Sequence, residues 1–243
     1  ILNVIPASFS DGGRYNNLDA ARRKVESMIN EGATIIDVGG ESTRPGAAFV
    51  SASEEIERLS GVVETIKKGF DTIVSVDTYK SEVARFVKEE GCDIINDIWG
   101  LKYDEDGAMA QVVGKSDMNL CIMHNRKNTE YKDYLNDVIT DLNGSLDIAR
   151  DAGIKKERII LDPGIGFAKD FNQNLVLIKE INKIVDMGYP VLLGTSRKSV
   201  IAKALDLPVN ERVEGTVATN ESAISQLMMG VTSEIQYFSG DIC

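Results

Sequence analysis

The chain has 243 residues, 43% of them hydrophobic and 27% charged, which suits one α/β domain over residues 1–243 with an ample core. Its net charge of −11 argues against a nucleic-acid binder, which presents a basic face, but leaves room for an anionic small molecule held by a local cluster of cations. No run has the length of a membrane span and no signal peptide is visible; Cys92, Cys121 and Cys243 lack metal-type spacing, and Cys92 and Cys121 sit in strand-like runs, so these two are expected as buried thiols in a reducing, cytoplasmic setting. Ile1 lies within a strand-like run and is not Met, so a preceding piece of chain is expected.

In chain order, Ile1–Val4 reads as a first strand, and Pro6, Ser8, Ser10 and Gly12-Gly13 mark a long loop. Leu18, Ala21, Val25, Met28 and Ile29 recur at helical spacing until Gly32. Thr34–Val38 is the second strand, followed by a loop over Gly39–Gly46. Ser51 and Glu54 have capping-box spacing ahead of one helix through Ile56, Leu59, Val63 and Ile66. A third strand ends at Asp77, and its helix carries Val83, Phe86 and Val87 up to Gly91. Further strands end near Asn96 and near His124, a helical region runs from Tyr131 to Ala152, and Ile159–Leu161 ends in Asp162. Leu175, Ile178 and Ile181 form one helix face ending at Gly188, Val191–Leu193 is the seventh strand, and helical segments follow near Val200–Leu205 and Val217–Met229. With a possible eighth strand at Glu234–Phe238, the count is that of an α/β (β/α)8 TIM barrel with an atypical eighth strand and no final helix. The competing fold, an open doubly wound sheet, wants a phosphate-binding glycine turn after the first strand, and Asn3-Val4-Ile5-Pro6 is no such turn.

Polar residues stand at the carboxyl ends of successive strands, where a barrel builds its active site. Asp77, Asn96 and Asp162 offer two carboxylates and an amide, a set that fits the edge of a flat heterocycle with several N–H groups and a carbonyl. Each could instead pair with a neighbouring loop backbone; recurrence on three strands favours a ligand. Arg197-Lys198 beside a strand end is either a solvated turn or an anion grip. Asn3 offers a carbonyl oxygen to a hard cation, although spacing alone favours a local turn into Pro6. The single histidine, His124, reads as a structural group rather than a base.

The residues Asn3-Val4, Ser8–Gly13, Ile36–Gly46 (with Gly-Gly-Glu-Ser-Thr-Arg-Pro-Gly), Ser75–Thr78, Ile95–Ile98, Met123-His124, Asp162–Phe167 and Ser196-Arg197-Lys198 together resemble the dihydropteroate synthase family, from residue 1 to about residue 219. That resemblance implies a transferase of folate synthesis. It joins 6-hydroxymethyl-7,8-dihydropterin pyrophosphate to p-aminobenzoate, with Mg2+, releasing 7,8-dihydropteroate and pyrophosphate. It implies that Asp77, Asn96, Asp162 and Lys198 hold the pterin, with Ile98, Met123, Phe167 and Gly194 shaping its slot. Asn3 would hold magnesium or pyrophosphate and Arg44 an anion. Thr43, Pro45, Ser199 and Phe9 would border p-aminobenzoate, Asp11 would help stabilise the pterin cation, and the partners would be these small molecules and a second subunit of a homodimer.

The chain departs from the family at Ile5 and Ala7, where Thr and Asp are usual. No arginine follows Arg212 and no histidine follows His124, so the family's Arg-x-His pair on the eighth strand has no counterpart. A clamp acting on the transition state is worth on the order of 10²–10³ in rate. Two other functions therefore stand beside the first: a pterin-binding protein without turnover, and a methyltetrahydrofolate-binding methyl-transfer barrel, which the Glu41–Gly46 and Ser196–Lys198 loops disfavour because methyl transfer expels no pyrophosphate.

Overall fold

The computed structural model describes residues 1–4, 14–43, 47–104, 106–196, 198–206, 208, 211–228 and 237–239, the backbone alone for 14–17, 224–228 and 237–239. Strands alternate with helices, and the recorded pairings between successive strands are parallel, as the (β/α)8 reading requires. The chain divides into two compact units, one of Ile1–Asp97, Leu101–Leu120 and Ala152–Ile154, the other of Ile98–Gly100, Cys121–Asp151 and Lys155–Cys243.

In the first unit, β1 (Leu2–Asn3), β2 (Ile35–Gly39), β3 (Ile73–Asp77) and β4 (Ile94–Asp97) pair in that order. Ile36, Val38, Val74, Val76 and Ile95 have no exposed surface. Because side chains alternate across a strand, Asp37, Ser75, Asp77 and Asn96 point to the opposite face. Around the strands lie α1 (Arg14–Asn30), α2 (Ala52–Leu59), α3 (Val62–Gly69), α4 (Ser81–Glu89) and α5 (Ala108–Gly114). The single helix expected after β2 is two. Gly61, at φ 77°, takes left-handed backbone, and the chain restarts there so that Leu59, Val62, Val63 and Ile66 are all buried. Only half of the expected capping box forms: Ser51 Oγ accepts from Glu54 N at 3.2 Å, while the Glu54 carboxylate takes Arg58 instead. The buried thiols are as expected at Cys92 and Cys121; burial pushes the Cys92 thiol up to about 12, and Cys243 lies outside the described residues.

In the second unit, β6 (Ile159–Asp162), β7 (Val191–Leu193) and β8 (Tyr237–Ser239) pair in parallel, with Leu161 opposite Val191 and Val191–Leu193 opposite Tyr237–Ser239. The eighth strand is thus realised at the end of the expected Glu234–Phe238 stretch, of which Glu234–Gln236 lie outside the described residues. β5 (Asn119–Met123) enters this unit at Cys121, and α6 (Tyr134–Asp151) follows it. The helix expected between β6 and β7 is again two, α7 (Phe171–Lys179), capped by the full Asp170–Gln173 box, and α8 (Asn182–Val185). α9 (Ser199–Leu205) and α10 (Val213–Met228) approach closely: a Cβ on Gly215 would meet Ile201 Cγ2 at 2.4 Å. No helix among the described residues is long and apolar enough to cross a membrane.

A buried ion triad ties the loop after β2 to α2 and to the start of α4. Lys80 Nζ donates to Glu41 Oε2 and Glu55 Oε2, both at 2.5 Å, with all three residues at most 8% exposed. Glu41 Oε1 also accepts from Val50 N at 3.0 Å, closing both ends of the Gly40–Val50 loop on one carboxylate. Lys80→Met strands two buried acids together, so it should lower unfolding stability by about 3–5 kcal/mol. Urea denaturation of the parent and the variant measures that difference.

Candidate functional site

The register of the first unit sets one row of residues across four strand ends. Asn3 is opposite Gly39, Gly39 opposite Asp77, and Asp77 opposite Asn96. Asp37 sits two residues before Gly39 and so faces the same way. Asn96 Nδ2 donates to Asp37 Oδ2 at 3.5 Å, which turns the Asn96 carbonyl oxygen away from Asp37. Among the described residues Asp77 Oδ1, Asn96 Oδ1 and Asp37 Oδ1 are buried with no hydrogen-bond partner. An unpartnered buried acceptor costs free energy, and native structures keep few of them. Burial, then the neighbouring Asp37, Glu55, Asp97 and Glu41 charges, holds the Asp77 carboxyl well above its ordinary range; burial raises Asp37 too. Two acceptors without donors on that row, with the Asp37 oxygen one pair behind on the same face, form a ready grip for a planar ligand edge rich in N–H groups.

In the second unit the corresponding groups are already engaged. Asp162 is 3% exposed, and its Oδ1 accepts from Gly164 N at 2.7 Å, the loop-backbone pairing weighed from sequence for strand-end acids. Here that pairing is real for one oxygen. Lys198 Nζ donates to Ile165 O and lies 4.8 Å from the centre of the Phe167 ring, so the cation of the Ser196–Lys198 turn is folded onto the loop after β6. Met123 is buried, and His124 N donates to Asp162 O at 2.9 Å, joining the ends of β5 and β6. His124 is structural, as expected: Nε2–H donates to Asp141 Oδ2 at 3.0 Å, Nδ1 accepts from Lys169 at 2.9 Å, and burial pulls the imidazole down to about 3.

Ile98 is 8% exposed, Gly194 is buried directly after β7, Thr43 is half-buried, and Ser199 is exposed as the first residue of α9. The expected residues Phe9, Asp11, Arg44 and Pro45, the departures Ile5 and Ala7, and Arg197 lie outside the described residues. Asp37 and Lys169 were not singled out from the sequence. Asp37 could have been found from its two-residue spacing to Gly39, which puts it on the face of the strand-end residues; Lys169 carried no signal beyond following the Gly164–Phe167 turn.

The family profile described as "Pterin binding enzyme" matches residues 1–233. A dihydropteroate synthase of Clostridium beijerinckii is 56% identical over 219 residues, covering 90% of this chain and 81% of that protein. Among solved structures, a Clostridium difficile dihydropteroate synthase crystallised with pteroic acid superposes with a TM-score of 0.88 at 48% identity, over 92% of this chain and 85% of that one. The Xanthomonas albilineans enzyme with 4-aminobenzoic acid superposes with a TM-score of 0.85 at 36% identity, over 93% and 82%. The fold class is therefore α/β, that of the (β/α)8 barrel.

The raised Asp77 pKa has a sign that can be measured. An unfolded Asp77 releases its proton near 3.8, whereas the folded one keeps it to higher pH. The folded state then binds more protons, so stability falls as pH rises above 3.8 through the raised value. Asp77→Asn removes that penalty. Its melting temperature should exceed the parent's at neutral pH, and the two should converge below pH 3.8; melts across pH test this, and identical curves would contradict it.

Proposed function

Because the chain belongs to the pterin-binding enzyme family, whose matched relatives are dihydropteroate synthases, we propose that it is a dihydropteroate synthase acting as one domain over residues 1–243. It condenses 6-hydroxymethyl-7,8-dihydropterin pyrophosphate with p-aminobenzoate to give 7,8-dihydropteroate and pyrophosphate. The observation that carries the site assignment is the row of buried, donor-free acceptors at Asp77 and Asn96. On this reading Asp77, Asn96, Asp162 and Lys198 hold the pterin, with Ile98, Met123, Phe167 and Gly194 against its faces. Thr43, Pro45, Ser199 and Phe9 border p-aminobenzoate, Arg44 takes an anion, and Asp11 faces the developing cation.

The reaction breaks the bond between the pterin methylene carbon and the pyrophosphate oxygen, and the electron pair leaves with pyrophosphate. The aniline nitrogen then donates its lone pair to that carbon and loses a proton. Carboxylates near the methylene stabilise its positive charge, and cations near the leaving group stabilise the departing negative charge. An aniline needs little base strength to attack a carbocation, which agrees with a His124 committed to Asp141 and Lys169.

Asn3 fits the implied magnesium. It stands at the end of β1 in the row with Gly39, and its Oδ1 lies 3.8 Å from where a Cβ on Gly39 would be, so a hard, neutral oxygen faces the strand-end row. Magnesium is commonly held by one or two protein oxygens together with water and substrate phosphates. When bound it would neutralise charge on the pyrophosphate. A homodimer and a cytoplasmic location are part of this proposal, on the family resemblance alone.

A second reading is pterin binding without turnover. Incubation with the pterin pyrophosphate, labelled p-aminobenzoate and magnesium separates the two. Dihydropteroate formation supports the enzyme; tight pterin binding without product supports the binding protein. Asp162→Asn should weaken pterin binding by about tenfold or more, measured by calorimetry, and an unchanged affinity would remove Asp162 from the site. Lys198→Ala should impair the binding of both substrates, and a fully active variant would count against the assignment.

A further inference from the structure

The segment between β6 and α7 has backbone that neither helix nor strand can satisfy. Gly164 (φ 71°), Gly166 (φ 86°) and Ala168 (φ 46°) all take left-handed conformations, so the segment's carbonyls need partners from elsewhere. One side chain supplies two of them. Lys169 is 8% exposed, and its Nζ donates to Gly164 O, Phe167 O and His124 Nδ1, each at 2.9 Å. His124 O lies 3.4 Å away as a fourth acceptor, so the three N–H groups of an ammonium are all engaged.

Behind Lys169 the bonds form a circuit that returns to the same segment. His124 Nε2–H donates to Asp141 Oδ2, and Arg126 Nε donates to that oxygen at 2.5 Å. The Arg126 guanidinium lies 4.4 Å from the centre of the Tyr131 ring, and Tyr131 Oη–H donates to Ala168 O at 2.9 Å. The packing leaves no slack, since a Cβ on Gly164 would meet His124 O at 2.1 Å. Asp162, Phe167 and the Ile165 carbonyl that receives Lys198 all ride on this segment or at its start.

We propose that Lys169 is a positioning residue for the pterin end of the site, fixing the segment 163–168 through the His124–Asp141–Arg126–Tyr131 circuit so that Asp162, Phe167 and Lys198 hold one geometry. The inference rests on the functional reading for the identity of the ligand; the ordering of the segment does not. The groups facing Lys169 are His124, neutral throughout the working range, Asp162, Lys198, Arg126 and Asp141. Burial brings the Lys169 ammonium down to about 7. Above that pH a neutral amine has two N–H groups in place of three, so one donation is lost.

The test compares the parent with Lys169→Met, which keeps the length of the side chain and removes its donors. We expect the KM for the pterin pyrophosphate to rise about tenfold or more, with a smaller rise in the KM for p-aminobenzoate through Lys198 and kcat within about threefold. The parent's pterin KM should climb as pH passes about 7, and the variant's should not. Hydrogen exchange at the Gly164, Gly166 and Phe167 amides, bonded to Asp162 Oδ1, Asn174 Oδ1 and Gly164 O, should quicken in the variant. Should Lys169→Met fail to fold, Asp141→Ala, at the half-exposed side of the circuit, should show the same pterin-selective rise at about threefold or more together with faster exchange. Unchanged pterin KM and unchanged exchange in a folded variant overturn the proposal. A parent that neither turns over nor binds pterin overturns the functional reading instead, and the exchange rates still decide the role of Lys169.

Discussion

Buried carboxylates without donors set the terms for the first unit. A strand that ends in an apolar run carries its last side chain into the protein, and the two-residue alternation sends Asp37, Asp77 and Asn96 to one face while Ile36, Val38, Val76 and Ile95 go to the other. The apolar face stabilises the strands; the polar face opposes them. Asp77 Oδ1 and Asn96 Oδ1 find no hydrogen bond among the described residues, and the surrounding acids raise the Asp77 pKa further. Such an arrangement persists because the framework is stable enough to hold it, and a ligand's N–H groups would relieve it.

The second unit answers its own strain internally. Three left-handed residues after β6 leave backbone groups without helix or strand partners: Lys169 reaches the Gly164 and Phe167 carbonyls, Tyr131 reaches the Ala168 carbonyl, and Asn174 Oδ1 accepts from the Gly166 amide. Burial alone would raise the Asp141 carboxyl, but hydrogen bonds from Arg126 and His124 outweigh it and hold it below its ordinary value. An ionised Asp141 keeps His124 in the tautomer whose Nδ1 accepts from Lys169. The contrast lies at the strand ends: in the first unit Asp77 and Asn96 present acceptors that lack donors, whereas in the second Asp162 and Lys198 are bonded to the loop after β6.

Much of this was legible in the sequence because strands announce their ends. The runs before Asp77, Asn96 and Asp162 are apolar and short, so each polar terminus stands out, and the family motifs around them extend the reading to residues outside the described structure. What escaped depends on contacts distant in sequence. The break at Gly61 needs Glu90 Oε1 to receive its amide at 2.6 Å, a partner that helical spacing cannot reveal. α5 is short and begins at a left-handed Gly107, so its periodicity is weak. Glu54 satisfies the capping-box pattern, yet Arg58 on the next turn competes for its carboxylate. Lys169 looks like a surface lysine until the fold places His124 beside it.

The central claim is that the ring edge of a pterin supplies the donors that Asp77 lacks. Titration calorimetry of the protein with 6-hydroxymethyl-7,8-dihydropterin, at a series of pH values above 3.8 and in two buffers of different ionisation enthalpy, reads this directly. Ligand N–H groups favour the ionised Asp77, so the account predicts one binding site and, within that series, a pH range where the apparent enthalpy shifts between the buffers in the sense of proton release. No proton exchange at any pH, or no binding, would contradict it.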